Sequence, residues 1–197
     1  MLNDVRCSFI TLGEPEYYGG AKSKPSDQRR WSATALVPVG SPMHKRIGAA
    51  IEEVAYGFEK WGKKAALVLE NIRADPKACC YVDGKRKDYE GYAGHWALSA
   101  HRYEDKGRPL VYDSDKSPIY KPSNELYEGK AGRIYSGCYV NMQVEIWPQD
   151  NDNGKGIRAT LLGIQRLRDG DSFSGGVAPD PDAFDEITEG ADAEDLT

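Results

Sequence analysis

The segment from Cys138 to Arg168 constrains the fold most. In SGCYVNMQVEIWPQ, the residues Cys138, Val140, Met142, Val144 and Ile146 alternate with Tyr139, Asn141, Gln143, Glu145 and Trp147. A period of two puts one set on each side of an extended strand, so one face is apolar and the other polar. The run ends at QDNDNGKG, where Asn153-Gly154 is a strong signal for a tight hairpin turn. GIRATLLGIQRLRDG then returns as the partner strand. A long antiparallel hairpin with one wet face is the minimum any fold of this chain must accommodate.

Other segments add strands and one helix. DVRCSFITL sets Val5, Cys7 and Phe9 against Arg6 and Ser8 and reads as a strand. GEPEYYGGAKSKPSDQRR, which contains Tyr17 and Tyr18, reads as a long loop. From Arg30 to Val39, the residues Trp31, Ala33, Ala35 and Val37 alternate with Arg30, Ser32 and Thr34. Ser41-Pro42 then marks a helix start, with a side-chain cap followed by a pre-set φ. Met43, Ile47, Ile51, Val54, Ala55 and Phe58 recur at helical spacing up to Trp61, and Gly62 can stop the helix. Beyond residue 67 the helical pattern fades. A turn at Asp83-Gly84 precedes a strand from about Tyr92 to Tyr103, and 105–133 is loop-rich. About five strands, one amphipathic helix and long polar loops fit a small antiparallel barrel or sandwich. A doubly wound α/β sheet needs more helices than this.

No catalytic signature is present: GxxxxGK[ST], GxGxxG, GxSxG and HExxH are all missing. Asp113, Asp115, Asp150 and Asp152 sit among turn residues, where they read as loop punctuation. A calcium loop beginning at Asp150 would need Glu where Leu161 stands. Cys7, Cys79, Cys80 and Cys138 include no CxxC pair, and only three His are available, so free buried thiols are expected rather than zinc or disulfides. No cofactor is expected. MLNDVRCSFITLGEP has no signal-peptide pattern, and no apolar run is long enough to cross a membrane. The expected compartment is the cytoplasm.

Charge is distributed unevenly. All 26 Lys and Arg lie at or before Arg168, whereas 8 of the 31 Asp and Glu fall in 177–197. Residues 1–176 therefore carry +3 and the remaining segment −8. The expected division is a folded domain over 1–176 and a disordered acidic tail over 177–197. The chain also has 12 Tyr and 4 Trp but only 4 Phe. Tyr and Trp can present a flat ring while their polar ends stay wet. Rings of this kind beside Lys and Arg are what single-stranded nucleic acid needs, for stacking and for tracking phosphates. On the strand near 92–103, Tyr92, Trp96 and Arg102 share one phase, and His95, His101 and Tyr103 share the other. Arg158, Arg166 and Arg168 share a phase with Thr160 and Leu162. Each has a plainer reading: Trp31 and Trp96 as core, Trp147 as a packing plug, Lys85-Arg86-Lys87 as a solvated turn.

RWSATALVPVG, EGYAGHWALSAH and GRIYSGCYVNMQVEIWPQDNDNGKGIRATLLGIQRLRDGDSFSGG together resemble a family of bacteriophage single-stranded DNA-binding proteins. That family is similar in plan to the replication single-stranded DNA-binding proteins of T7-like phages. The resemblance covers about 1–176. It implies an OB-fold, a five-stranded Greek-key barrel with one inserted helix and a groove across one face. It also implies a non-enzymatic role, a homodimer, and an acidic tail that occupies the groove or recruits phage or host replication proteins. One departure stands out. The T7-like tail ends in an aromatic residue, whereas here Phe184 lies inside the tail and the chain ends Asp195-Leu196-Thr197.

The resemblance supplies no residue-by-residue contacts, so these come from chemistry. Stacking is assigned to Tyr92, Trp96, Tyr103, Tyr135 and Tyr139. Phosphate contact is assigned to Lys85, Arg86, Lys87, Arg102, Arg108, Arg133, Arg158 and Arg166. The regulatory tail is Asp180, Asp182, Phe184, Asp185, Glu186, Glu189, Asp192, Glu194 and Asp195. The rival readings are a protein-binding module and a metal-dependent nuclease.

Overall fold

The computed structural model describes residues 1–17 and 28–173. The tail residues assigned a regulatory role, and Tyr18, lie outside the described residues.

The expected hairpin is the longest ribbon of the fold. β6 (Tyr139–Asn151) pairs antiparallel with β7 (Gly154–Arg168) from Tyr139↔Arg168 to Asn151↔Gly154. Only Asp152 and Asn153 form the loop, and Gly154 takes φ +96°, a backbone state that suits glycine. β1 (Leu2–Tyr17) and β2 (Arg29–Pro38) form a second antiparallel pair. β1 therefore extends five residues, Gly13 to Tyr17, into the segment read as loop. β2 pairs in turn with β4 (His95–Tyr103).

Five of these strands form a ring. β1 is flanked by β2 and β6, β2 by β4, and β6 by β7, while β4 and β7 meet in a parallel contact at His101↔Thr160. The order around the ring is β1-β2-β4-β7-β6. Two short strands extend it to the seven-stranded sheet: β3 (Tyr81–Asp83) beside β4, and β5 (Leu110–Tyr112) beside β7. The ring interior is filled by Cys7, Ala33, Ala35, Val37, Leu98, Ala100, Val140, Met142, Ile157, Ala159, Leu161 and Ile164, all buried. Small residues sit opposite one another on β2 and β4, as at Ala33↔Ala100, which suits a narrow barrel. The four cysteines are buried and unbonded. Among the described residues no helix is long and apolar enough to cross a membrane.

The helix start is as the sequence reads. α1 (Pro42–Gly57) begins after Ser41, whose Oγ accepts a hydrogen bond from the His44 backbone N–H at 3.1 Å. Ile47, Ile51 and Ala55 bury one face. The end differs from expectation. α1 stops at Gly57, and Phe58 turns extended. Gly62 does not stop a helix but opens a single turn that leads into α2 (Ala65–Ala74). The single helix expected is therefore two. α2 buries Ala65, Leu69 and Ile72, a spacing of four and three that is visible in the sequence but too short to stand out. Trp61 fixes this connection: its indole N–H donates to Asp150 Oδ2 at 2.8 Å, near the end of β6.

Two irregularities change which side chains face where. Gln143 pairs with Gly163 but Val144 with Leu161, so Leu162 is an extra residue in β7. Leu167 is another, between Val140↔Arg166 and Tyr139↔Arg168. Each inserted residue reverses the alternation beyond it. The shared phase read for Arg158, Arg166 and Arg168 is thus broken. Arg158 faces outward, Arg166 lies on the side of buried Val140, and Arg168 sits opposite Tyr139.

Removing the helix cap provides a stability test. Ser41→Ala leaves the His44 N–H without its partner and should lower unfolding free energy by about 1 kcal/mol. Urea denaturation, with an unchanged m value, measures it.

Candidate nucleic-acid interface

The outward side chains of β2, β4, β7 and β6 form a band across the ring. Strand register defines it. Ser32 pairs with His101, His101 with Thr160 and Thr160 with Glu145, which makes one row across four strands. Thr11 of β1 continues the row beside Ser32. Thr34↔Ser99 begins a second row, which Ser8 extends on β1, while Arg158 and Trp147 face each other on β7 and β6. Arg30↔Tyr103 closes one end. The alternate residues point into the ring, so this face is fixed by the period of two.

The band has small hydroxyl side chains in its middle and larger groups around them. Tyr103 is 38% exposed, and its ring meets His101 edge-on at 5.0 Å between centroids. Trp147 donates its indole N–H to Thr160 Oγ1 at 3.0 Å. Arg158 Nε donates to Gln149 Oε1 at 3.0 Å, and Nη1 donates to the Lys77 carbonyl at 2.6 Å, so the guanidinium is held in place. Burial, then the nearby Arg30 and Arg158 cations, push the His101 pKa down to about 4. His101 is therefore neutral at pH 7, and the local field is set by the two arginines.

The other sequence-derived candidates fall into separate places. Tyr92 is 1% exposed and has no free ring face. Burial raises its phenol pKa, and the Ser8 and Thr34 hydroxyls beside it offset part of that rise. Stacking by Tyr92 is thus closed off in this structure. Trp96 packs against His44 and Tyr81 under the start of α1, in keeping with its plainer reading as core. Arg102 donates to the Lys106 and Gly107 carbonyls at 2.7 and 2.8 Å, holding the turn after β4. The Arg108 guanidinium lies 3.9 Å from the Tyr120 ring centroid and 5.1 Å from the Trp31 ring, and it donates to the Leu12 and Gly13 carbonyls. These two arginines act as staples.

Arg133 and Arg166 converge on a buried carboxylate. Asp113, 4% exposed, is 2.7 Å from Lys130, 3.5 Å from Arg133 and 3.9 Å from Arg166. The Lys130 hydrogen bond holds the Asp113 carboxyl below the usual carboxylate range. Asp113 therefore anchors the segment after β5 as well as closing the turn that follows it, where its Oδ1 accepts from the Ser114 N–H. Tyr135 donates its hydroxyl to the Gly170 carbonyl at 2.9 Å and accepts from the Gly170 N–H, tying down the chain after β7. The Arg168 guanidinium lies 3.7 Å from the Tyr139 ring centroid. Lys85, Arg86 and Lys87 occupy the turn after β3, where Lys85 and Arg86 are exposed and Lys87 faces the Tyr89 ring at 6.0 Å.

Of the thirteen predicted contacts, then, only Tyr103 and Arg158 stand on the band. Arg30, Ser32, Ser99, His101 and Thr160 also stand on it and are not among the sequence-derived assignments. Their signal is the alternation partner of the buried set on each strand. Among the described residues no group of three or more His, Cys, Asp or Glu is placed to hold a metal ion.

Comparisons with known proteins show what the whole chain is similar to. The family described as Enterobacter phage Enc34, ssDNA-binding protein, matches residues 1–197. A putative protein p50 from Acyrthosiphon pisum secondary endosymbiont phage 1 is 39% identical over 189 residues, spanning 95% of this chain and 92% of that protein. The single-stranded DNA-binding protein from bacteriophage Enc34 in complex with ssDNA is 27% identical, with a TM-score of 0.65 over 87% of this chain and 86% of that one. The same phage protein without DNA is 28% identical, with a TM-score of 0.64 over 93% and 88%.

The depressed His101 value has a pH signature. Its pKa falls from 6.5 to about 4 on folding, so between those values the unfolded chain binds the proton more readily. The stability tied to neutral His101 is complete above pH 6.5 and declines as the pH falls toward 4. Urea unfolding across that window should show stability rising with pH, and His101→Gln should flatten the slope. An imidazole NMR titration should give an apparent value well under 6.

Proposed function

The chain belongs to the phage Enc34 single-stranded DNA-binding protein family, and on that premise we propose that it binds and protects single-stranded DNA, independent of sequence, in phage replication or recombination. The carrying observation is the outward band: a floor of Ser32, Ser99 and Thr160, with Arg30 and Arg158 beside it and the Tyr103 ring at its end. Two cations can track phosphates, and an exposed ring can stack any base. Hydroxyls on a flat floor accept or donate without demanding one base edge, which suits sequence independence. The ring order β1-β2-β4-β7-β6, with its single parallel contact, supports an OB-fold plan. Tyr103 and Arg158 carry over from the sequence reading as contacts, with Lys85, Arg86 and Lys87 as flanking cations. The reading is of a binding protein rather than an enzyme, acting as a homodimer in the host cytoplasm during infection.

The segment 177–197 completes the proposal. Its eight carboxylates form a tethered polyanion, a mimic of the phosphate backbone at high effective concentration. It competes with weak ligands for the band and yields to long single strands. Once displaced, it is available to basic surfaces of phage or host replication proteins.

Two measurements test this. Fluorescence anisotropy with a single-stranded oligonucleotide of about 16 nucleotides and its duplex should show tighter binding to the single strand. The logarithm of affinity should fall linearly with the logarithm of salt, because phosphate neutralisation releases counterions. Equal affinity for both forms, or no salt dependence, would favour a protein-binding module. Cleavage of labelled DNA with Mg²⁺ or Mn²⁺ would favour a nuclease. Deleting 177–197 should tighten binding, most at low salt. Unchanged binding would leave the tail with recruitment or solubility alone.

A further inference from the structure

At the β1 end of the band the chain departs from regular geometry. Register along β1 shifts between Ser8↔Thr34 and Thr11↔Ser32. Within that irregular stretch Phe9 takes φ +47°, the left-handed region that bulky residues rarely occupy. The ring it displays is 52% exposed. Burial therefore gives little return for the backbone strain, and strain of this kind collects at binding sites. Tyr89, 50% exposed, meets Phe9 edge-on at 4.8 Å, with Tyr92 behind both at 6.2 and 5.4 Å.

These rings border an open recess of about 190 Å³ lined by Ser8, Phe9, Tyr89, Glu90, Ser136 and Phe173. The Phe173 wall is fixed. The Phe173 N–H donates to the Ser136 carbonyl at 3.0 Å, and the Arg6 guanidinium lies 4.3 Å from the Phe173 ring centroid. A Cβ on Gly91 would come within 2.3 Å of the Phe173 ring, so glycine there lets the ring seat. Lys87 Nζ lies 6.0 Å from the Tyr89 ring centroid. Ser8, which lines the recess, is also the β1 member of the Ser8–Thr34–Ser99 row, in which Ser8 and Thr34 are buried and Ser99 is exposed.

We propose that this recess holds one nucleobase of the bound single strand, packed against the Phe9 and Tyr89 rings, with the adjoining phosphate toward Lys87. The inference rests on the single-strand reading above and adds a subsite to it. The occupant is a base rather than a phosphate because three of the six lining residues are aromatic and the one charged member, Glu90, is acidic. The Glu90 carboxylate and the Ser8 and Ser136 hydroxyls can meet the polar edge of a base, whereas a phosphate would be repelled.

The test uses the full chain and an oligonucleotide of about 16 nucleotides, with affinity measured across salt. Phe9→Gly removes the ring and relieves the left-handed strain together. It should weaken binding about tenfold, which is the loss of one base–ring contact. The salt slope should stay unchanged, because a ring contact releases no counterions. The melting temperature should stay within a few degrees of the parent. Tyr89→Ala is the second variant and should behave alike in binding. Lys87→Ala should instead lower the salt slope by about one. A strand carrying 2-aminopurine should be quenched on binding the parent and less quenched by Phe9→Gly. Parent-like affinity and quenching in both ring variants would overturn the subsite while leaving single-strand binding intact. Failure of the parent itself to bind would overturn the underlying reading instead.

Discussion

The meeting of β4 and β7 at His101↔Thr160 is the constraint on which the rest depends. Without it, the β1-β2-β4 and β6-β7 units would share only the β1–β6 seam, and the apolar side chains between them would face water. With it, the ring closes on residues that are almost all fully buried. The same pair lies at the centre of the outward band. One contact therefore shuts the core and places a neutral imidazole between two arginines. Closure and surface chemistry are here the same geometry seen from opposite sides.

The parts of the fold that local chemistry decides were readable from the sequence. The Asn153-Gly154 turn, the Ser41 cap and the alternation of β2 and β6 each depend on neighbours a few residues away. What escaped depends on longer relations. α2 is three turns of ordinary residues with only three buried positions, and its identity comes from packing beside α1. The inserted Leu162 leaves no mark in composition, yet it moves Arg166 off the face that holds Arg158.

The candidate site was legible as an amphipathic pattern and illegible as a list of contacts. Periodicity correctly grouped Arg30 with Ser32, and His101 with Tyr103. Residue type could not say which cations are already engaged. Arg102 and Arg108 hold carbonyl oxygens, and Lys130, Arg133 and Arg166 surround Asp113. A formal +3 for residues 1–176 says little about where positive potential is available, because so much of the basic inventory is committed to holding the chain together.

The β1–β6 seam has a consequence for synthesis. β1 leaves the ribosome long before its partner on that side, which begins at Tyr139, and the Cys7 N–H can donate to the Cys138 carbonyl only then. Until most of the chain exists, the N-terminal sheet has an unpaired edge of open amides and carbonyls, the kind of template that invites pairing with another chain. Contacts so distant in sequence also slow closure once the chain is complete. The late-arriving β6–β7 ribbon, by contrast, is local and can form by itself. In this architecture a segment made late completes the edge of one made early.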